Sequence, residues 1–253
     1  SSDLTTTPLW VLLLLVAGQV LAVMRWTRRG GKPAQDDVSM ALLLCSLLWL
    51  VPLLYAVAGQ PTTYNGWRHF YFLYGPMLAL AAYGLGRMAA WLRARRGKAL
   101  LRVGAALLAL CMSMTGAQMA VSHARQYSYY NELVQRETLP DYLELDYWNV
   151  STLETLRALL QKMPVAQEKA ASICGSEFWS HDGLKSALAL LSAEEQARFR
   201  LIPEGSRGAD YVVANRSYMV IGHWKPAANQ IPVVVTESFG VPICTVYQRN
   251  VTK

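Results

Sequence analysis

Four long uncharged apolar stretches dominate the first half of the chain: Pro8–Met24, Val38–Gly59, Phe70–Gly86 and Val103–Val121. Each approaches the roughly 20 residues a helix needs to cross a ~30 Å hydrocarbon core. They predict four transmembrane helices, at about residues 8–24, 38–59, 70–90 and 103–121. Pro52 and the Gly75-Pro76 pair lie inside apolar runs. Loss of a backbone donor there kinks a helix, and neighbours in a packed bundle must satisfy the freed carbonyls.

Past Val121 the pattern changes period. Residues 122–150 are rich in Tyr, Trp and acidic side chains, with rings from Tyr127, Tyr129, Tyr130, Tyr142, Tyr147 and Trp148. They predict an interfacial connector lying along the headgroups, although a sugar-stacking platform fits the same rings. From Ser151 a helix is expected, because Ser151 and Glu154 have capping-box spacing and Leu153, Leu156, Leu159 and Leu160 follow with helical period. Short strands are expected at Ala171–Cys174, Tyr211–Ala214, Ile231–Thr236 and Val241–Tyr247. The last two are joined as a hairpin by Glu-Ser-Phe-Gly. Helices are expected at Gly183–Leu191 and Ala193–Phe199, the second with a capping box from Ser192 and Glu195. The fold class that results is an α-helical membrane domain (1–121) with a small C-terminal α/β domain (151–253).

The charges fit this division. Residues 1–121 hold eleven basic and three acidic side chains, a net +8, whereas residues 122–253 hold thirteen basic and fourteen acidic ones, a net −1. The basic excess sits at the ends of apolar runs, so it is a topology signal and implies no nucleic-acid partner. Arg25, Arg28, Arg29 and Lys32 follow the first span, and Arg93, Arg95, Arg96, Lys98 and Arg102 separate the third from the fourth. Both loops should be cytoplasmic. The Gln60–His69 loop and everything after Val121 then lie on the extracytoplasmic side. The chain starts at Ser1, and its first span lacks a secretory n-region and cleavage site, which predicts a piece of something longer.

Soluble-enzyme chemistry is missing from the pattern. His69, His123, His181 and His223 are scattered, and no HExxH, CxxC, GxSxG, P-loop or GxGxxG stands in the right context, so no metal site is expected. Cys45 and Cys111 read as small apolar groups inside spans. Cys174 and Cys244 fall on expected strands, where they form either a disulfide or two buried thiols. Asn149-Val-Ser, Asn215-Arg-Ser and Asn250-Val-Thr are formal glycosylation sequons. One cluster is richer: Tyr64-Asn65-Gly66-Trp67-Arg68-His69-Phe70-Tyr71 sets a guanidinium and an imidazole at the outer membrane boundary. Arg68 there either grips a phosphate through its bidentate fork or snorkels to lipid headgroups, with Trp67 as an interfacial anchor.

The segment Tyr64–Pro76, followed by Tyr129-Tyr130-Asn131-Glu132-Leu133 and by Leu143-Glu144-Leu145-Asp146-Tyr147-Trp148-Asn149-Val150-Ser151, resembles the C-terminal half of bacterial GT-C-fold membrane glycosyltransferases. These are enzymes similar to protein O-mannosyltransferases and the lipid A aminoarabinose transferase. The resemblance implies a multi-pass protein of the bacterial inner membrane with a periplasmic C-terminal domain. It implies transfer of a sugar from a polyprenyl-phosphate carrier, the donor substrate, to an extracytoplasmic acceptor, with no cofactor held by this chain. The family's catalytic acidic residue belongs to a first external loop with no counterpart here, so the resemblance implies a portion of an enzyme whose N-terminal membrane half is a partner on the same or a separate polypeptide. It makes Arg68 the group that stabilises the phosphate leaving group, assisted by His69, with Tyr64 and Trp67 lining the carrier's path. Asp146 and Glu144 are secondary candidates as bases, with a structural role at a helix start as the alternative.

Two other classes compete. A non-catalytic membrane-anchored module would use the α/β domain to recognise a glycan or a protein. A transporter subunit would need charged groups deep within the spans, where only Arg87 stands, near a cytoplasmic end.

Overall fold

A computed structural model of the chain describes residues 5–28, 30, 36–59, 70–95, 97–134, 145–164, 169–216 and 224–250. These form two compact units: Ser1–Ala120 with Tyr130–Leu133, and Val121–Tyr129 with Val134–Lys253. The aromatic connector is therefore shared between the units.

The first unit is helical, with α1 (Leu9–Arg28), α2 (Asp37–Gly59), α3 (Tyr71–Arg95) and α4 (Gly97–Val121). Among the described residues, α1, α2 and α4 are long and apolar enough to cross a membrane. Helix α3 matches them in length, with 25 residues, but it carries Arg87, Arg93 and Arg95 in its second half. Of the four expected spans, three thus meet both length and apolarity. Leu13, Leu47 and Leu107 face outward and are 64%, 48% and 58% exposed. Such a surface would be an uncovered apolar patch in water and an ordinary one in lipid.

Helix α1 packs most closely on α3, around buried Leu15, Leu73, Met77 and Leu80 with Ala22 and Ala81. The approach is tight enough to be built on glycine. A Cβ on Gly18 would stand 1.9 Å from the carbonyl oxygen of Leu80, and one on Gly84 would stand 2.7 Å from the backbone nitrogen of Gly18. Small residues at a crossing let two backbones meet, which is how membrane helices gain dispersion contact where lipid offers no hydrophobic drive.

Polar side chains fix the helix ends. On the basic side, Asp36 accepts from the Ser39 backbone N–H at 3.0 Å and from the Arg25 guanidinium at 2.8 Å, and Arg25 also donates to the Ser39 hydroxyl at 2.9 Å. The Ser39 and Arg25 hydrogen bonds hold the Asp36 carboxyl well below the usual carboxylate range. At the other end, the Trp10 indole donates to the Thr115 hydroxyl at 3.2 Å, so the start of α1 lies beside the last turns of α4. There Asn131 fastens α1: its amide donates to the Thr7 carbonyl at 2.7 Å and its backbone N–H to the Thr5 carbonyl at 2.6 Å. Asn131 and Thr7 are both buried. This gives the Tyr129–Leu133 segment a physical reason to hold an asparagine.

The second unit is a five-stranded sheet in the order β2-β1-β3-β5-β4. Its strands are β1 (Ala171–Gly175), β2 (Phe199–Leu201), β3 (Tyr211–Asn215), β4 (Gln230–Ser238) and β5 (Val241–Arg249). Strands β2, β1 and β3 run parallel, and β5 joins β3 and β4 antiparallel. Helices α5 (Val150–Lys162) and α6 (Phe178–Ala189) cover one sheet face, burying Leu156, Leu159, Leu184, Ile173, Val213 and Val246. Among the described residues, the opposite face carries a small cluster of Cys174, Ala209 and Val212 packed with Ile202 and Trp224.

The expected hairpin forms, turning through Phe239 (φ 51°) and Gly240 (φ 77°) with Ser238 paired to Val241. Two positive φ values in a two-residue loop match the strand twist. The Ser192–Glu195 capping box also forms, on the short helix α7 (Ala193–Ala197). Two expectations are corrected. The chain beyond α7 turns into edge strand β2, so Phe199 is a strand residue. Ser151 is inside α5 and does not cap it, because Asp146 satisfies the helix's first N–H groups.

Candidate functional site

Tyr64, Trp67, Arg68, His69 and Glu144 lie outside the described residues. Their flanks are placed: α2 ends at Gly59 and α3 begins at Tyr71. The start of α2 is tied to the end of α1 through Arg25 and Ser39, and mid-helix Trp49 donates to Gln19 at 3.2 Å, so the two helices run antiparallel. The end of α2 is therefore level with Thr7, at the end of the helical unit that Asn131 closes.

Asp146 sits in a buried knot. One carboxylate oxygen accepts from the Val150 N–H at 2.8 Å; the other accepts from the Ser151 N–H at 2.9 Å, from the Asn215 amide at 2.8 Å and from the Ser151 hydroxyl. The Asn215 amide also reaches the Thr152 hydroxyl at 3.1 Å. Behind it, the Asn215 N–H donates to the Ser180 hydroxyl at 3.1 Å, and that hydroxyl donates to the Asn215 carbonyl at 3.3 Å. One carboxylate thus joins the start of α5, the end of β3 and the first turn of α6. With four donors on it and 4% exposure, it anchors the domain and is closed to a substrate proton. Asn215 is buried as well, so its sequon is inaccessible in the folded domain.

Sequence reasoning missed Asn215, Ser180 and Asn131, because each acts on a partner far along the chain. The signal available was only the polar residue type at the end of a strand or helix.

Cys174 and Cys244 form no disulfide: both are free and buried. They lie on β1 and β5, with β3 hydrogen-bonded between them. Two strand spacings of ~4.8 Å exceed the ~7 Å limit for a Cα pair that a disulfide can bridge. Burial pushes the Cys244 thiol up to about 11 and raises that of Cys174. A raised folded pKa favours the neutral thiol. Its contribution to stability is complete below the unfolded value near 8.5 and is lost as pH climbs through about 11. Thiol titration with a maleimide at pH 8 is expected to leave Cys244 unmodified in the folded protein and to label it at pH 11; labelling at pH 8 at the rate of the denatured chain would contradict this burial.

A cleft of about 310 Å³ opens at the carboxyl ends of β1 and β3, lined by Ser176, Glu177, Arg216, Trp224, Thr245 and Tyr247. Trp224 and Tyr247 form one wall, their ring centroids 5.3 Å apart. The carboxyl ends of parallel strands are where open α/β sheets take ligands. Aromatic walls with one acidic and one basic residue suit binding. His181 is turned away, accepting the Gly175 N–H at 3.2 Å. Among the described residues no three His, Cys, Asp or Glu side chains converge as metal ligands.

No family model, no curated protein and no solved structure matches this chain.

Proposed function

We propose that the chain is the C-terminal part of a membrane glycosyltransferase that moves a sugar from a polyprenyl-phosphate carrier to an acceptor on the extracytoplasmic face. In this reading α3 is a fourth span, held against α1 by the glycine crossing, in a bacterial inner membrane with the α/β domain in the periplasm. The observation that supports it is that α2 ends at Gly59 towards the end of the helical unit that Asn131 closes, away from the Arg25–Ser39 end, whose basic residues the charge rule assigns to the cytoplasm.

A guanidinium there meets a lipid-borne phosphate in the outer leaflet. The anomeric C–O bond to phosphate breaks with its electron pair leaving on oxygen, the acceptor oxygen bonds to the anomeric carbon, and a base takes the acceptor proton. Arg68 neutralises the departing phosphate. His69 hydrogen-bonds the carrier, and Tyr64 and Trp67 line its path. The base is an acidic group with no counterpart in these 253 residues.

Arg68→Ala in the intact enzyme is expected to lower transfer from a polyprenyl-phosphate sugar about 100-fold, or about 2.7 kcal/mol, with unchanged expression. Transfer at the wild-type rate would remove Arg68 from this role, and labelling that placed residues 60–69 in the cytosol would remove the whole reading.

The cleft on the α/β domain favours a second reading, a membrane-anchored module that binds a glycan. Tyr247→Ala separates the two: it should abolish glycan binding in the module and leave carrier-dependent transfer intact in the enzyme.

A further inference from the structure

Among the described residues of the α/β unit, the large rings of Trp148, Phe178 and Trp179 are exposed, at 64%, 60% and 48%, and take no part in its core. They come from two separated segments, yet the fold gathers them around the Asp146 knot. Trp148 lies two residues after Asp146. Phe178 and Trp179 open α6, whose Ser180 is tied to Asn215, which in turn holds Asp146. A Cβ on Gly183 would lie 2.2 Å from Cγ of Asn149, so α6 passes directly over the residue next to Trp148. Trp179 is one turn before Gly183 on that same helix face.

The chain itself limits how far this pole lies from a membrane. The unit begins at Val121, where apolar helix α4 ends. Four residues later the Arg125 guanidinium holds both Glu154 oxygens of α5 at 3.1 Å. Four residues reach at most about 14 Å. Tyr127 then stacks on Tyr147 at 6.3 Å, and Tyr147 meets Trp148 edge-on at 4.8 Å. A ladder of rings thus runs from the first residues beyond the apolar helix to the exposed Trp148.

We propose that the pole formed by Trp148, Phe178 and Trp179 is a membrane-docking surface that seats the α/β domain in the headgroup layer of the bilayer that α4 leaves. Trp is suited to this depth, with an apolar ring for the acyl boundary and an N–H for the headgroups, and Phe adds apolar area. The connector rings alone suggest only that residues 122–148 lie along the interface. The structure adds α6 and makes the contact a property of the folded domain. The proposal depends on α4 crossing a membrane and holds whether or not the chain belongs to a glycosyltransferase.

The test uses the whole chain in vesicles of phosphatidylethanolamine and phosphatidylglycerol, in a Cys45→Ala, Cys111→Ala background. Trp148→Cys, Phe178→Cys and, as control, exposed Glu194→Cys on α7 each receive a nitroxide. The collision rates of oxygen and of a water-soluble nickel chelate are measured. At positions 148 and 178 the oxygen-to-nickel ratio is expected to exceed that at 194 at least threefold. Equal ratios at all three positions would overturn the proposal. Photocrosslinking from benzoylphenylalanine at position 178 is a second measurement that keeps the Phe178 surface otherwise intact. Adducts of phospholipid mass support docking, and crosslinks solely to a second copy of the chain would overturn it.

Discussion

Replacing Gly18 with valine is expected to abolish the folded helical unit. Even the first added carbon would lie 1.9 Å from the Leu80 carbonyl oxygen and 2.6 Å from its carbon, both in the backbone of α3. No rotamer relieves such a clash, because the obstacle is main chain. The two helices must separate by more than an ångström, which opens the contacts among Leu15, Leu73, Met77 and Leu80. Overpacking of side chains alone costs about 1–3 kcal/mol. Here the backbone shift adds loss of dispersion along a whole crossing, and we expect more than about 4 kcal/mol in total. Size-exclusion chromatography in detergent should show aggregated Gly18→Val, with Leu13→Val on the outward face as a monodisperse control. A monodisperse Gly18→Val with the wild-type melting temperature would mean that α1 and α3 do not cross at this glycine.

Removing the Asp146 carboxylate has the second large effect, on the α/β domain. Asp146→Ala leaves the Val150 and Ser151 N–H groups, the Ser151 hydroxyl and the Asn215 amide without their shared acceptor in a buried site. Truncating one partner of a buried charged network costs about 3–5 kcal/mol, a large share of the 5–15 kcal/mol that holds a domain of ordinary stability. The readout is local: Asn215 pairs with Cys244 across β3 and β5, so opening of the knot exposes that thiol. Its maleimide labelling should accelerate at least 100-fold in Asp146→Ala and less in Asp146→Asn, which keeps one acceptor oxygen. Unchanged labelling of Cys244 would show that the knot is dispensable.

These two sites also mark how far the sequence could be read. Continuous apolar runs announce α1, α2 and α4 because lipid demands about 20 uncharged residues in a row. Helix α3 is less plain, since the sequence of its second half includes Arg87, Arg93 and Arg95. The hairpin and the Ser192 box are local patterns completed within four residues, and both form as read. Asp146 was legible only as a carboxylate before a helix. Its spacing of five residues to Ser151 lies outside the capping-box rule, and half of its function comes from Asn215, sixty-nine residues away. Strand β2 escaped because three residues are too few for a period, and its register is set by β1. The thiols on β1 and β5 could be separated only once β3 was known to lie between them. Arg68, the residue on which the functional reading rests, was found by resemblance and by the charge asymmetry of the loops. The described helices supply its bracket.

The bond between Asn131 and the Thr7 carbonyl spans 124 residues. A ribosome adding about 5–20 residues per second needs roughly 6–25 s to make that stretch. During this interval α1 exists without its fastening to Asn131, which can form only after α4 has been synthesised. Assembly of the bundle is in this way timed by translation of residues 97–131, and a stall between residues 121 and 131 would leave an unlatched intermediate, the form most open to a protease.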